Sequence, residues 1–276
     1  MDLLLYLTQP FALHALAAAT LVAISCGLIA PFVITRGMAF AVHGTSELAF
    51  TGAAAGLLIS GNAVAGALGG AVVVAAVIGL LGVRERERDS SIGVILAFGL
   101  GLGVLLLSFY HGFATQATNI LFGNIFGVSS GQLWLLFGIG VGVIAVMALI
   151  HRPLLFASVD PEVALARGVP VRLLGLVFLF VLALTVTEAA QIVGTLLVLS
   201  LAITPAAAAQ RFTARPALVT ALSILFALIA SDGGLLVSLA VGTVKPSVFV
   251  TGLSFSIYII ARWLGGRVRT RRAAAA

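Results

Sequence analysis

Charge is what this sequence lacks most: only 9% of its 276 residues are charged, whereas 61% are hydrophobic. A soluble domain of this size carries roughly a quarter charged residues. With so few charges the chain has no means of covering a water-facing surface, which excludes a soluble globular fold. The expected surrounding is a lipid bilayer.

Two further absences narrow the chemistry. The chain has one cysteine, Cys26, inside an apolar run, which excludes an internal disulfide. It also has no G-x-x-x-x-G-K-[ST] motif, so any ATP-driven step needs a separate subunit. The net charge of +6 arises from short basic clusters between apolar runs rather than from one basic face, so we expect no nucleic-acid partner.

Long apolar runs dominate what is present. A helix needs roughly 20 apolar residues to cross a bilayer, and the chain predicts an all-α polytopic fold of eight or nine such helices in one transmembrane domain, residues 1–276. The candidate spans are 11–34, 38–59, 63–83, 91–110, 131–150, 173–190, 192–210, 216–242 and 248–265. The count stays open because 173–210 has almost no loop and Ser231-Asp232-Gly233-Gly234 interrupts 216–242.

The basic residues predict the orientation. With the N-terminus outside, 14 of the 15 Lys and Arg fall on the inner side and only Lys245 falls outside. Cytoplasmic loops carry such an excess, so we expect a cytoplasmic C-terminus. The inner residues are Arg36, Arg84, Arg86, Arg88, Arg152, Arg167, Arg172, Arg211, Arg215, Arg262, Arg267, Arg269, Arg271 and Arg272.

Acidic residues within the apolar runs are the candidate functional groups, because ionisable side chains in a membrane are costly. His43 and Glu47 stand four residues apart and share a helix face, where an imidazole and a carboxylate can bind a divalent transition-metal ion. The alternative is a His–Glu hydrogen bond that only ties helices together. Two ligands do not hold an ion alone, so others must come from elsewhere.

Glu188 and Asp232 complete this set of candidates for an ion pathway. Glu188 stands at the outer end of a span near Gln191, where it would funnel cations or, alternatively, face water at the interface. Asp232 precedes Gly233-Gly234, where a broken helix would expose backbone carbonyls along the path. The alternative there is a solvated loop.

The segment from Asp160 to Gly168 predicts a short cytoplasmic helix. Asp160 is placed to cap it, Pro161 suits its first turn and Gly168 suits its end. Glu162 and Arg167 complement the helix dipole. So short a helix needs a surface to lie against, which is either its own membrane domain or a cytoplasmic ATPase.

Five short stretches follow one another along the chain: Arg36-Gly37-Met38; Asp89-Ser90-Ser91-Ile92-Gly93; Leu121-Phe122-Gly123-Asn124; Asp160-Pro161-Glu162 with Gly168-Val169; and Val193-Gly194-Thr195-Leu196-Leu197 running on to Thr204-Pro205-Ala206. With these stretches in this order, the sequence resembles the permeases of manganese/zinc/iron-type ABC importers over nearly its whole length.

The resemblance implies a type II ABC importer-like permease in the bacterial inner membrane, not itself an enzyme. It implies a permease homodimer, cytoplasmic ABC ATPase subunits and an extracytoplasmic metal-binding protein. A divalent metal ion is then the transported substrate, with no permanently bound cofactor, and the 160–168 helix couples to the ATPase. Family members carry an Asp followed four residues later by a His in the second span; this chain has His43 and Glu47 there, in reversed order.

Other functions remain open at this point. An ABC importer of a metal chelate or a cobalamin-like molecule would have a wide apolar cavity without ligating side chains. An ion-coupled secondary transporter would carry inverted repeats, and none is evident in the sequence. A purely structural membrane scaffold is the fourth possibility.

Overall fold

The computed structural model describes residues 9–81, 85–111 and 113–273, and every regular element in these ranges is helical. One short 3-10 helix covers Ile125–Gly127. The α-helices are α1 (Pro10–Thr35), α2 (Ala39–Ser60), α3 (Ala63–Leu81), α4 (Glu85–Ser108), α5 (Phe113–Phe122), α6 (Ser130–Val159), α7 (Pro161–Ala166), α8 (Val171–Val193), α9 (Leu199–Ala202), α10 (Thr204–Phe212), α11 (Pro216–Val241) and α12 (Pro246–Ala273). The all-α prediction is confirmed.

Five of the described helices are long and apolar enough to cross a membrane, namely α1, α6, α8, α11 and the Pro246–Gly265 part of α12. Shorter apolar stretches lie in α3 and α4. The predicted span 192–210 corresponds to the broken pair α9 and α10. The total of eight or nine crossings stays a prediction.

Helix α1 lies at the centre of the bundle, and its contacts show in which direction the neighbouring helices run. It runs parallel to α6, since Leu21 lies beside Gly140 and the rings of Phe32 and His151 are 5.3 Å apart. It runs antiparallel to α8, because the Arg36 guanidinium lies 5.7 Å from the Phe178 ring while Cys26, earlier in α1, lies near Glu188, later in α8. Small side chains along α1 allow this crowding, and most of its length is buried.

The bundle therefore has an arginine end, where α1 and α6 finish and where α8 and α11 begin. Arg36 ties three helices together there, donating to Ser158 Oγ of α6 at 3.3 Å and stacking on α8. Lys245 lies at the opposite end, 5.6 Å from the Phe122 ring. The segregation agrees with the charge pattern in the sequence; Arg84 lies outside the described residues.

Helix α11 is continuous from Pro216 to Val241, so the predicted interruption at Ser231–Gly234 is wrong. Gly234 instead lets the next helix approach, because a Cβ there would lie 2.5 Å from the backbone nitrogen of Val250. Ser231 donates to the Ala19 carbonyl at 3.3 Å. Glycine therefore serves helix packing here and does not break the helix.

Helices α2 and α3 make the closest backbone contact of this kind. A Cβ on Gly66 would lie 2.6 Å from the Cα of Gly56, and one on Gly70 would lie 2.9 Å from the Cα of Gly52. Both helices thus carry glycines four residues apart that face each other. Such small-residue seams hold helices together in lipid through close packing.

Replacing one of these glycines tests the seam. We expect Gly66→Ala to lower stability by about 1–3 kcal/mol, because the new methyl has only backbone to displace. Gly69→Ala is the matched control, since a Cβ there meets nothing within 4 Å and alanine favours helix. Thermal unfolding in detergent should rank Gly69→Ala at or above the wild type and Gly66→Ala below it; equal shifts would contradict the packing.

Candidate functional site

His43 and Glu47 lie one turn apart near the start of α2. His43 is half-buried and Glu47 is 2% exposed. His43 Nδ1 and Glu47 Oε2 are buried without a hydrogen-bond partner among the described residues. The hydroxyls of Thr45 and Ser46 donate instead to backbone carbonyls, those of Ala41 at 2.7 Å and His43 at 2.8 Å. An imidazole nitrogen and a carboxylate oxygen are thus left with unused lone pairs on one face.

His43 lies at an opening in the arginine half of the bundle. Residues of α2 form one side of this opening, and α9 with the start of α10 forms the other. Ser200 and Thr204 bring hydroxyl groups to the far wall. The break between α9 and α10 at Ile203 creates the space, because Pro205 has no backbone N–H with which to continue the helix.

Beyond Glu47, the same face of α2 is apolar. Phe50, Ala54 and Leu57 follow at helical spacing and pack as one buried cluster with Leu107 of α4. The Phe50 ring fills the space beside Gly103, where a Cβ would lie 2.7 Å from it. In this structure the His43–Glu47 face is therefore open toward the arginine end and closed by apolar side chains toward the other end.

Glu188 is buried near the far end of α8, at 1% exposure, and its two carboxylate oxygens have no hydrogen-bond partner among the described residues. The alternative of a water-facing residue at the interface is therefore wrong. The carboxylate lies near Cys26 in the middle of α1. Thr185 and Thr187 donate to backbone carbonyls of their own helix, so they leave Glu188 unpaired.

A cavity of about 250 Å³, here called the polar cavity, opens between α2, α3, α6 and α8 next to this region. Most of its wall is apolar, but amide and hydroxyl side chains are gathered in it: Asn119, Asn124, Gln132, Thr187, Gln191 and Thr195. The Thr195 hydroxyl is buried without a hydrogen-bond partner. Except for Gln191, these residues were missed in the sequence, because single amides near span ends resemble ordinary loop residues. The cluster of Asn and Gln close to Gly123 and Gly194 is the signal that marks them.

The last turns of α5 and α8 and the non-helical segments that follow them cross beside this cavity. Asn124 donates its backbone N–H to the Gln191 carbonyl at 3.2 Å, and Thr195 donates to Ile120 at 3.3 Å. Gly123 and Gly194 have φ of +76° and +95°, which other residues rarely adopt. The crossing supplies hydrogen bonds to backbone that the helices leave unpaired, as a membrane interior requires.

Asp232 lies apart from these groups, at the contact of α11 with α1. Thr20 donates to its Oδ2 at 3.1 Å, while Oδ1 is buried without a partner. In the part of the chain that the structure describes, no group of three or more His, Cys, Asp or Glu side chains could hold a metal ion. His43, Glu47, Glu188 and Asp232 are therefore not gathered into one site within a single chain.

The predicted short helix after α6 is confirmed as α7. Asp160 Oδ1 accepts from the Val163 N–H at 3.0 Å, which caps it, and Gly168 ends it with φ of +80°. Ala164 packs inward, while Val163 and Leu165 are 46% and 65% exposed. The helix thus rests on its own bundle with one side and presents an apolar surface with the other.

The long apolar helices of the bundle are those of a polytopic membrane protein. The sequence profile of the ABC 3 transport family matches residues 8–265. The chain belongs to that family.

The relatives it resembles include two named for manganese transport. It is 34% identical over 230 residues to the manganese transport system membrane protein MntC of Halalkalibacterium halodurans, covering 83% of this chain and 79% of that protein. It is 32% identical to the manganese import system permease protein ScaB of Streptococcus parasanguinis, covering 73% and 72%.

Solved structures agree with the fold. PsaBC from Streptococcus pneumoniae in complex with Fab superposes with a TM-score of 0.82 at 28% identity, covering 92% of this chain and 91% of that one. An inward-facing conformation of a putative metal-chelate type ABC transporter superposes with a TM-score of 0.70 at 14% identity, covering 92% and 85%. The expected ABC-importer fold is confirmed.

The glycine crossing can be tested by substitution. We expect Gly194→Ala to lower the yield of folded protein sharply, because its Cβ would meet backbone atoms of Phe122 and Gly123 at 2.5–2.6 Å. Gly242→Ala is the control for a positive φ alone: its φ of +74° and ψ of −13° lie in the left-handed helical region, and nothing lies within 4 Å. Gly194 combines its φ with a ψ of 154°, a region almost confined to glycine, so its variant carries backbone strain as well as the close contact. Size-exclusion profiles in detergent measure the outcome, and equal losses for both variants would contradict the close crossing.

Proposed function

We propose that this chain is the permease subunit of an ABC importer for divalent transition-metal ions, with Mn²⁺ as its favoured cargo. The observation that carries the proposal is the pair His43 and Glu47 on one face of α2, where the imidazole Nδ1 and the carboxylate Oε2 are buried without hydrogen-bond partners. The names of the relatives favour manganese over zinc or iron.

The donor types suit this cargo. Carboxylate oxygens favour Mn²⁺, and imidazole binds most divalent first-row metals. The amide and hydroxyl groups of the polar cavity add neutral oxygen donors, and no cysteine is among its lining residues. A path made of such groups holds its ion weakly, and weak binding is what release on the far side requires.

The ion route runs along the bundle toward the arginine end. A cation entering from the opposite end would meet the polar cavity first, then Glu188, and then Glu47 and His43 above the inner opening. Asp232 lies outside this route. It accepts a hydrogen bond from Thr20 of α1, and we propose that it stabilises the contact between α1 and α11. The arginine end is cytoplasmic under the positive-inside rule.

One chain offers two ligands at the central pair, and an ion needs more than two. A second permease copy, facing the first with its own His43 and Glu47, would bring the number to four. We therefore propose that the working unit is a homodimer with two cytoplasmic ABC ATPase subunits and an extracytoplasmic metal-binding protein. Residues 1–276 form a single permease domain with eight or nine crossings.

A metal chelate or cobalamin-like cargo is less well supported. Such a cargo would need a wide apolar cavity without ligating side chains, whereas His43 and Glu47 offer a nitrogen and an oxygen without hydrogen-bond partners, which favours an ion. Membership of the ABC 3 transport family argues against a secondary transporter and against a purely structural scaffold.

Replacement of Glu47 by Gln tests the cargo site, since it removes the charge and keeps the shape. We expect uptake of radioactive Mn²⁺ by cells or proteoliposomes to fall at least about tenfold, which corresponds to the loss of ~1.4 kcal/mol of ion stabilisation. Competition by unlabelled Zn²⁺ and Fe²⁺ in the same assay ranks the metals.

Thr45→Val is the matched control for that experiment. Thr45 is equally buried on the same helix, but its hydroxyl is bonded to the Ala41 carbonyl on another face. Near-normal uptake by Thr45→Val together with loss in Glu47→Gln supports the assignment. Unchanged uptake in Glu47→Gln, at equal expression, would remove Glu47 from the route.

Helix α7 is the proposed ATPase-docking element, with Asp160, Pro161, Glu162, Arg167 and Gly168 shaping it. We expect Leu165→Asp to abolish co-purification of the ATPase subunit, because a charge would replace an exposed apolar contact. Leu165→Met keeps the apolar character and should retain the subunit. Normal co-purification and transport-coupled ATP hydrolysis in Leu165→Asp would exclude this helix as the contact.

A further inference from the structure

The C-terminal part of the chain has basic residues without acidic companions. The arginines at 84–88 alternate with Glu85 and Glu87, and those at 152–172 flank Asp160 and Glu162. After Glu188, by contrast, the only acid is Asp232, which lies deep at the α1 contact. Seven arginines share this part of the sequence: Arg211, Arg215, Arg262, Arg267, Arg269, Arg271 and Arg272.

Two of these arginines meet at one tyrosine. Arg211, at the end of α10, donates to the hydroxyl of Tyr258 at 3.3 Å, and its guanidinium lies 5.8 Å from the ring centroid. Arg262, one turn beyond Tyr258 on α12, also lies within interaction range of that oxygen. The end of α10 packs tightly on α12, since a Cβ on Gly265 would lie 2.6 Å from the Arg211 carbonyl oxygen.

This arrangement lacks its anion. Two guanidinium groups repel each other, and a neutral phenol does not cancel their charge. Among the residues that the structure describes, neither arginine has a carboxylate partner, and the sequence around them offers none. Guanidinium groups bind phosphate oxygens through paired N–H donors, so a phosphate is the anion that suits the pair.

The surface beside the two arginines is apolar. Phe255 and Trp263 are each 61% exposed on α12, and Ile259 and Ile260 lie exposed between them. Tryptophan next to arginine at the end of a span is typical of the membrane–water boundary. The phosphate bound there would therefore carry acyl chains that cover this face.

We propose that Arg211 and Arg262, held by Tyr258, bind the phosphate of an anionic phospholipid, such as phosphatidylglycerol, at the arginine end of the bundle. The lipid chains lie along Phe255, Ile259 and Trp263. Basic pockets between transmembrane helices on the cytoplasmic side bind anionic headgroups in this way. The site is independent of the proposed cargo, because it shares no residue with the ion route.

Native mass spectrometry of the purified full-length chain tests the proposal by titration with phosphatidylglycerol and, separately, with phosphatidylcholine. We expect selective binding of the anionic lipid, and a roughly 10- to 30-fold loss of affinity in Arg211→Gln/Arg262→Gln, on the basis of about 1 kcal/mol for each arginine. Arg152→Gln/Arg172→Gln removes two exposed charges at the same end and should bind as the wild type does.

Further variants keep the test decisive if the double Gln variant does not fold. Tyr258→Phe removes only the hydroxyl that accepts from Arg211 and should cost several-fold in lipid affinity; unchanged affinity in this variant would overturn the site. If both double-Gln variants lost lipid affinity equally, general charge attraction would explain the binding, and the proposed site would be overturned. Competition by inorganic phosphate at lipid-like concentrations would identify a free-anion site instead. Unchanged lipid binding with loss of the ATPase subunit would assign the arginines to a protein contact.

Discussion

The need to pair every backbone N–H and C=O inside a lipid environment governs this structure. Helices meet that need almost everywhere, so the exceptions are informative. The main exception is the crossing of residues 120–124 with 191–196, where two irregular segments bond to each other at 3.2–3.4 Å. Gly123 and Gly194 make the crossing possible, since their positive φ and missing side chains let the two backbones touch. The polar cavity lies beside this crossing, which agrees with the rule that irregular backbone at membrane depth borders buried protein or a space that water can enter.

The same constraint gives weight to the unpaired side chains. Thr45, Thr185 and Thr187 bond to carbonyls of their own helices, which is how a membrane helix normally satisfies a hydroxyl. Glu47 and Glu188 have no such outlet, and a buried carboxylate without a partner is far more costly than a hydroxyl. The register of α1 places them at similar depth: Cys26, beside Glu188, is ten residues from Arg36, and Glu47 is eight from Ala39, or roughly 12–15 Å along each helix. A transient cation at that depth would offset both costs.

Composition and periodicity were enough to predict the all-α fold, the position of most helices and the capped helix α7, because these depend on local hydropathy and on capping groups such as Asp160. They failed at Ser231–Gly234, where glycine was read as a break although its role is the contact with Val250, which depends on a distant helix. They also gave no account of α5 or of Asn119 and Gln132 in the cavity. Those residues become a site only through the crossing of two segments some 70 residues apart. Pairwise proximity of that kind leaves no periodic trace in a single sequence.

The contacts of α2 determine which of its helix contacts would open during transport. Toward α3 the contact is backbone against backbone, at Gly52 and Gly56, and leaves no side chain that can change rotamer. Toward α4 it consists of side chains over glycine: Leu48 over Gly99 and Phe50 over Gly103, with one hydrogen bond from Thr51 to the Gly99 carbonyl at 2.6 Å. A packed glycine seam resists sliding, whereas a ring resting on a glycine can swing away with little backbone motion. Under the proposed function, α2 and α3 would therefore move as one unit, and Phe50 would leave Gly103 to open Glu47 toward the polar cavity.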